Sequence, residues 1–379
     1  MLRKEVEYME KKILVTRTSL PEYDTFIEKI KPLWESRWIT NMGIYHKELE
    51  KALKEFMDVS NVSLMVNGHM ALELVIQAMN FPEGSEVITT PFTFVSTTHA
   101  IIRNRLKPVF CDIKMSDYTI DEDKIEALIT ERTVAIVPVH VYGNICNVEK
   151  INEIAKKHNL KVIYDAAHTF GEKYKGLSVG KFGDASIFSF HATKVFNTIE
   201  GGAVTSESRD LFERLYNLKN FGIRGEEHIV GVGSNAKMNE FAAIMGLCNL
   251  ENLSDAIEAR KKIVEYYSKQ LAEVDNIRLP LFDNNDIEYN YAYYPVLFKK
   301  ENMRNIVYQK LRENNIFARK YFYPLTSEAE CFGGEFKRFK LENAHKAAEN
   351  ILVLPLYPEL ELDDVNRICN IIKECDIMD

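Results

Sequence analysis

Short apolar runs alternate with amphipathic stretches between about residues 45 and 205, the pattern of a mostly parallel sheet with helices on both faces. The runs at 62–66, 86–89, 108–111, 135–139, 161–165, 185–188 and 203–206 predict seven strands. Between them Leu72, Val75, Ile76 and Met79 keep the i, i+3, i+4, i+7 spacing of one buried helical face, and a second helix is expected over 148–158.

Beyond residue 240 the pattern changes. A helix is expected over 240–251, followed by a long charged helical stretch over 253–274 that leads away from the sheet. A strand at 292–298 and helices at 303–314 and 363–373 read as a smaller α+β unit. The expected division is therefore an N-terminal segment with a large α/β domain over 1–251 and a small α+β domain over 252–379, with no Gly/Pro-rich linker marking the junction.

Composition narrows the functional classes. The 379 residues, 46% hydrophobic and 27% charged, are enough for a large core, and they make disorder and coiled coil poor readings. A net charge of -8 argues against a phosphate-tracking nucleic-acid binder, although a local basic patch could hold an anionic substrate. The six cysteines are scattered without zinc-like spacing, as expected of reduced thiols in the cytoplasm. Residues 1–7 carry acids rather than an apolar run, and no apolar run reaches membrane-spanning length, so no membrane association is expected.

In a parallel sheet, ligands bind where strand carboxyl ends meet helix starts. Asn67-Gly68-His69 stands at such a junction, where helix N–H groups could cradle a phosphate or Gly68 could simply permit a turn. Phe94 could stack on a planar ligand or pack in the core. Asp165 ends an apolar strand and His168 follows three residues later; the acid could pair with a protonated pyridine nitrogen or cap a helix. Lys194 follows Phe188-Ser189-Phe190 and precedes Val195-Phe196, an apolar setting that could free its amine, although a lysine is usually a solvated surface residue. Gly201-Gly202 suits close backbone approach behind it, and Ser189 is a candidate phosphate ligand. A carboxylate and an amine at neighbouring strand ends are what pyridoxal 5'-phosphate (PLP) needs, one for its ring nitrogen and one for its aldehyde. His140, His168 and His191 lack acidic or thiol partners at ligand spacing, which disfavours a metal site, and no Gly-x-Ser-x-Gly elbow supports a hydrolase.

Taken in order, Asn67-Gly68-His69-Met70-Ala71-Leu72, the stretch 90–96, Pro138-Val139-His140-Val141-Tyr142-Gly143, Asp165-Ala166-Ala167-His168, the block around Lys194, and Gly233-Ser234-Asn235-Ala236-Lys237-Met238 resemble the DegT/DnrJ/EryC1/StrS aminotransferases, nucleotide-sugar enzymes of PLP fold type I. The resemblance runs from about Val15 to Tyr357. It implies that Lys194 forms the Schiff base, Asp165 binds the pyridine nitrogen, and Phe94 stacks on the ring. His168 would sit near the phenolic oxygen, and Ser189 with Gly68 and His69 would hold the phosphate. Asn235 is similar to a residue that reaches the phosphate across a subunit interface, implying a homodimer with shared active sites. The family more often has Thr or Ser where His69 stands, so the backbone contact is the firmer part of that assignment. Relatives that replace the lysine with histidine are dehydratases; Lys194 is intact here.

The resemblance also implies L-glutamate as amino donor and a ping-pong cycle. The phrases Val15-Thr16-Arg17 and 36–43, which includes Thr40, look like the VioA-like C4-aminotransferases that make dTDP-4-amino-4,6-dideoxyglucose, pointing to dTDP-4-keto-6-deoxy-D-glucose as acceptor and to O-antigen or another surface glycan. Arg319 and Tyr321, with Thr40 and His191, are the candidate substrate contacts; the bland alternative for 319–323 is an ordinary strand and turn. A C3-aminotransferase and a non-catalytic sugar-nucleotide binder of the same fold are the competing expectations.

Overall fold

A computed structural model describes residues 12–377; residues 1–7, discussed above for their acids, lie outside the described residues. The apolar runs form a seven-stranded sheet: β1 (Asn61–Met65), β2 (Glu86–Thr89), β3 (Lys107–Phe110), β4 (Thr133–Val137), β5 (Lys161–Asp165), β6 (Ala185–Ser189) and β7 (Gly202–Ser206). Their spatial order is β1-β7-β6-β5-β4-β2-β3. β7 runs antiparallel to both its neighbours, and the other pairings are parallel.

Alternate residues of each strand face opposite sides, and both sides are covered. Val87, Val137 and Ile163 pack under α2 (Gly68–Ala78), α3 (Ser96–Arg103) and α5 (Arg209–Lys219), through Leu72, Ala100 and Leu211. Ile88, Ile136 and Val162 pack against Ile151 and Ile154 of α4 (Val148–His158). On that same opposite side, Leu49 and Leu53 of α1 (Ile44–Met57) and Ala243 of α6 (Glu240–Glu251) cover Leu64 and Phe188. This two-sided burial is why the strands read as nearly continuous apolar runs.

A second core lies beyond α6. The helix α7 (Leu253–Leu271) starts with Leu253 in the core of α1 and ends with Ile263, Tyr267 and Leu271 in the second one. There a three-stranded antiparallel sheet, β8 (Ile277–Arg278), β9 (Tyr294–Phe298) and β10 (Ile351–Leu354), packs with α8 (Met303–Glu313) and α10 (Leu362–Ile377), while α9 (Glu342–Asn350) leads into β10. No described helix is long and apolar enough to cross a membrane.

Several boundaries depart from the sequence pattern by one to four residues, and two of them lie near the strand ends that matter. β4 stops at Val137 rather than 139, because Pro138 has no N–H to give to the ladder. The chain then turns through Tyr142 at φ 61° and Gly143 at φ 100°. β9 begins at Tyr294 rather than 292, leaving Ala292 and Tyr293 in a connection that reaches the large sheet.

That connection is fastened by buried polar groups. Asn290 donates from its side-chain amide to the carbonyls of His168 (2.8 Å) and Phe170 (3.0 Å), and its backbone N–H donates to Glu172 Oε1 at 3.1 Å. Glu172 is 1% exposed and its Oε2 has no hydrogen-bond partner, so burial pushes its carboxyl well above the ordinary range. The folded chain keeps this proton where the unfolded chain has lost it, so Glu172 favours the fold at and below its ordinary value near 4.5 and loses that contribution as pH rises towards the displaced pKa. Glu172→Gln, neutral in both states, is expected to gain stability over the native chain as pH rises from about 4.5 to about 8, by up to about 1.4 kcal/mol per pH unit. Urea midpoints at both ends of that range check it; a difference that does not change with pH contradicts a neutral Glu172.

Candidate active site

The carboxyl ends of β5 and β6, the start of α2 and the connection before β9 converge on a cavity of about 470 Å³. Asp165 closes β5 and is 7% exposed. Thr97 of α3 donates to its Oδ2 at 2.8 Å and the Ala167 N–H to its Oδ1 at 3.2 Å. Burial raises the Asp165 pKa, while these donors and the charge of Lys194 oppose the rise. A cationic ring nitrogen against this carboxylate would offset its desolvation.

His168 is held neutral by burial, far below the usual imidazole range. Its Nδ1 accepts the Tyr142 N–H at 3.0 Å, which assigns the ring proton to Nε2. The ring lies within 5° of parallel to Phe322, at 6.0 Å, and 4.7 Å from Tyr293. The left-handed turn at Tyr142 therefore sets the donor that this histidine can offer to a ligand.

The anion cradle is built by close backbone approach. Asn67 caps α2, its side chain accepting the Met70 N–H at 2.8 Å, while the earliest N–H groups of a helix have no partner within it. A Cβ on Gly68 would stand 2.8 Å from Ser189 Cβ and 3.0 Å from Ser189 Cα, and one on Gly202 would stand 2.6 Å from the Asn67 carbonyl carbon. Only glycine lets β6, β7 and the helix start come this near. His69 lines the same end, with Nδ1 2.8 Å from Ser96 Oγ and Nε2 3.3 Å from Glu73. Phe94 is 59% exposed although large and apolar, and it lines the cavity as a free ring face.

Lys194 lies in the loop between β6 and β7. Its backbone N–H donates to the His191 carbonyl at 2.9 Å, and its Nζ donates to the Tyr293 hydroxyl at 3.3 Å. His191 is exposed at the rim, 2.8 Å from Thr193 Oγ1 and 3.5 Å from Glu200. Arg319 and Tyr321 form part of the facing wall; Arg319 is fixed through its backbone to Val353 of β10, and the Tyr321 carbonyl accepts the Tyr142 hydroxyl.

The structure thus brings Gly68, His69, Phe94, Asp165, His168, Ser189, His191, Lys194, Arg319 and Tyr321 to one cavity. Thr40 and Asn235 do not line it; both are exposed, and Asn235 Oδ1 accepts from Lys237 Nζ at 2.8 Å. Thr97, Tyr142 and Tyr293 were not foreseen. Thr93, in the turn before α3, and Thr97 within the helix, with their hydroxyls 3.3 Å from each other, are the local polar pair to which the first belongs. Tyr293 had no local signal, because its approach depends on how two cores pack together. No cluster of three or more metal-ligating side chains occurs among the described residues.

These groups fit PLP: an amine, a buried acid, a neutral imidazole donor, an open aromatic face, and a helix start whose glycine leaves no room for a methyl. The sequence pattern of the DegT/DnrJ/EryC1/StrS aminotransferase family matches residues 22–373. The dTDP-4-amino-4,6-dideoxy-D-glucose transaminases of Shigella dysenteriae and Escherichia coli are 41% and 40% identical to this chain, covering 97% and 96% of it and 100% and 98% of their own lengths. A crystal structure of DesI in the presence of its TDP-sugar product superimposes with a TM-score of 0.90 at 30% identity, over 97% of this chain and 94% of that one.

Adding a methyl at Gly68 tests the cradle. Gly68→Ala is expected to push α2 off β6, destabilising the protein by about 1–3 kcal/mol and weakening PLP binding by about tenfold or more. Urea unfolding and fluorescence titration with PLP read the two effects; unchanged PLP affinity would remove this helix start from the phosphate site.

Proposed function

The chain belongs to the DegT/DnrJ/EryC1/StrS aminotransferase family, and from that premise we propose that it moves an amino group from L-glutamate to C4 of dTDP-4-keto-6-deoxy-D-glucose, giving dTDP-4-amino-4,6-dideoxy-D-glucose. It is a PLP-dependent nucleotide-sugar aminotransferase. The observation that carries the residue assignments is the meeting of Lys194, Asp165 and the α2 start in one cavity.

Bound PLP supplies an aldehyde that captures amines and a pyridine ring that stores an electron pair. Asp165 would pair with that ring nitrogen and favour its protonated form, and Phe94 would offer its ring face. The first N–H groups of α2, with Ser189 and His69, would hold the phosphate, and His168 would offer its Nε2–H to the phenolic oxygen. Lys194 is the only one of these groups that carries a proton on and off at Nζ, serving as base and then as acid. Arg319 gives the rim a cation for the anionic substrate, with Tyr321 beside it as an aromatic face and His191 as a further contact.

Asn235 serves the partner's cofactor phosphate in a homodimer. Supporting this, it is exposed beside a hairpin whose Ile229 is 70% and neighbouring Val232 91% exposed, an apolar surface suited to a second subunit. In this reading the chain divides near residue 251 into a cofactor domain and a smaller one, works in the cytoplasm, and feeds O-antigen or another surface glycan.

The test combines spectroscopy with product identification. The visible absorbance of the PLP-loaded enzyme is expected to bleach with glutamate, and Lys194→Ala is expected to lack that band. Double-reciprocal plots should be parallel, as a substituted-enzyme cycle requires. Incubation with dTDP-, UDP- and GDP-ketosugars, followed by NMR of the products, assigns the carbon aminated; nitrogen at C3 or a preference for another nucleotide would replace the acceptor proposed here.

A further inference from the structure

Tyr293 precedes β9, whose first residue Tyr294 is fully buried and stacks on Tyr267 at 4.8 Å in the second core. Successive side chains of an extended segment point to opposite sides, so Tyr293 turns away from that core and onto the large sheet. There it lines the cavity that holds Lys194. Its hydroxyl is the side-chain hydrogen-bond partner of Lys194 Nζ among the described residues, at 3.3 Å, and the same amine lies 5.8 Å from its ring centre. The ring is held in place by His168 at 4.7 Å, Tyr142 at 5.9 Å and Tyr321 at 6.3 Å.

We propose that Tyr293 is a further catalytic residue, whose hydroxyl fixes the Lys194 amine where it collects and delivers the substrate proton. The inference rests on the reading of Lys194 as the group that carries that proton. A phenol suits the task because it both donates and accepts. It donates to the lone pair of the neutral amine, and it accepts an N–H once Nζ has taken the proton. Tyr293 keeps its own proton throughout, and the proton that moves stays on Nζ until it is delivered. Without this contact the freed side chain, with four rotatable carbons, would sample many positions between its two proton transfers. The arrangement also makes the reaction depend on the packing of the second core, since β9 carries Tyr293 to the lysine.

The bland alternative is that Tyr293 only packs against His168, and two variants separate the possibilities. Tyr293→Phe keeps the ring and removes the hydroxyl; Tyr293→Leu removes both. If the hydroxyl acts on Lys194, Tyr293→Phe should bind PLP within about twofold of the native protein, yet bleach with glutamate about tenfold or more slowly at saturation, with little change in half-saturation. In the unloaded protein, acetylation of Lys194 by acetic anhydride at one fixed pH, followed by mass spectrometry, should be faster in Tyr293→Phe, where no hydroxyl holds the amine. Native bleaching and acetylation rates in Tyr293→Phe, with impairment confined to Tyr293→Leu, reduce Tyr293 to packing and overturn the proposal. So does a loss of PLP affinity in Tyr293→Phe that accounts for all of its loss of rate. If glutamate fails to bleach the native enzyme, the amino-donor assignment falls instead, and the Lys194 labelling rate still decides the role of Tyr293.

Discussion

The site depends on a contact between backbones that leaves no space for side chains. Gly68 at the start of α2 rests on Ser189 at the end of β6, and Gly202 of β7 rests on the carbonyl carbon of Asn67. Because β7 is antiparallel to β6, the loop that carries Lys194 must leave β6 at its carboxyl end and return beside the same helix start. One close approach therefore places the anion cradle, Ser189 and the lysine loop together. The parallel neighbour β5 then sets Asp165 alongside, its Cα in register with Ile187 of β6. Separating α2 from the sheet would disturb the cradle and the geometry of the lysine together.

Around that contact the buried polar groups are arranged to suit a cationic ring. Asp165 is costly to ionise where it sits, and its two hydrogen-bond donors lower that cost only partly. His168 is instead kept neutral, with its donor nitrogen chosen by the Tyr142 N–H. A charged acid and an uncharged imidazole in one cavity would keep a ring nitrogen protonated while offering a hydrogen bond, without a second positive charge, to the phenolic oxygen. Glu172, its carboxyl pushed well above the ordinary range by burial, fastens Asn290 and with it the approach to β9.

Much of this was legible from residue order. All seven sheet strands were anticipated within two residues of their observed ends, because both faces are buried and the runs are unusually apolar. Asp165, Ser189 and Lys194 were legible because parallel sheets expose their chemistry at strand carboxyl ends. The DegT/DnrJ/EryC1/StrS pattern then joined signals that were individually weak. What stayed hidden depended on distance along the chain: Thr97 meets Asp165 across 68 residues, and Tyr293 meets Lys194 across 99. Tyr142 was visible as part of a motif, but its use through a backbone N–H leaves no mark on residue type.

The long-range contacts divide the labour between the two cores. The large sheet supplies Lys194, Asp165, His168 and the α2 start, the groups that would meet the cofactor under the function proposed above. The segments from the second core, Tyr293 before β9 and Arg319 to Phe322 beside β10, close the opposite wall. Those segments are held by side-chain packing and a few hydrogen bonds, such as Tyr142 hydroxyl to Tyr321 carbonyl, rather than by the ladder of the large sheet. Residue changes there can reshape the substrate wall while leaving the cofactor groups where β5 and β6 place them. Tyr293 ties the halves together, since it belongs to the facing wall by position and to Lys194 by contact. A change in the second core that moved β9 would therefore alter both the shape of the cavity and the surroundings of the Lys194 amine.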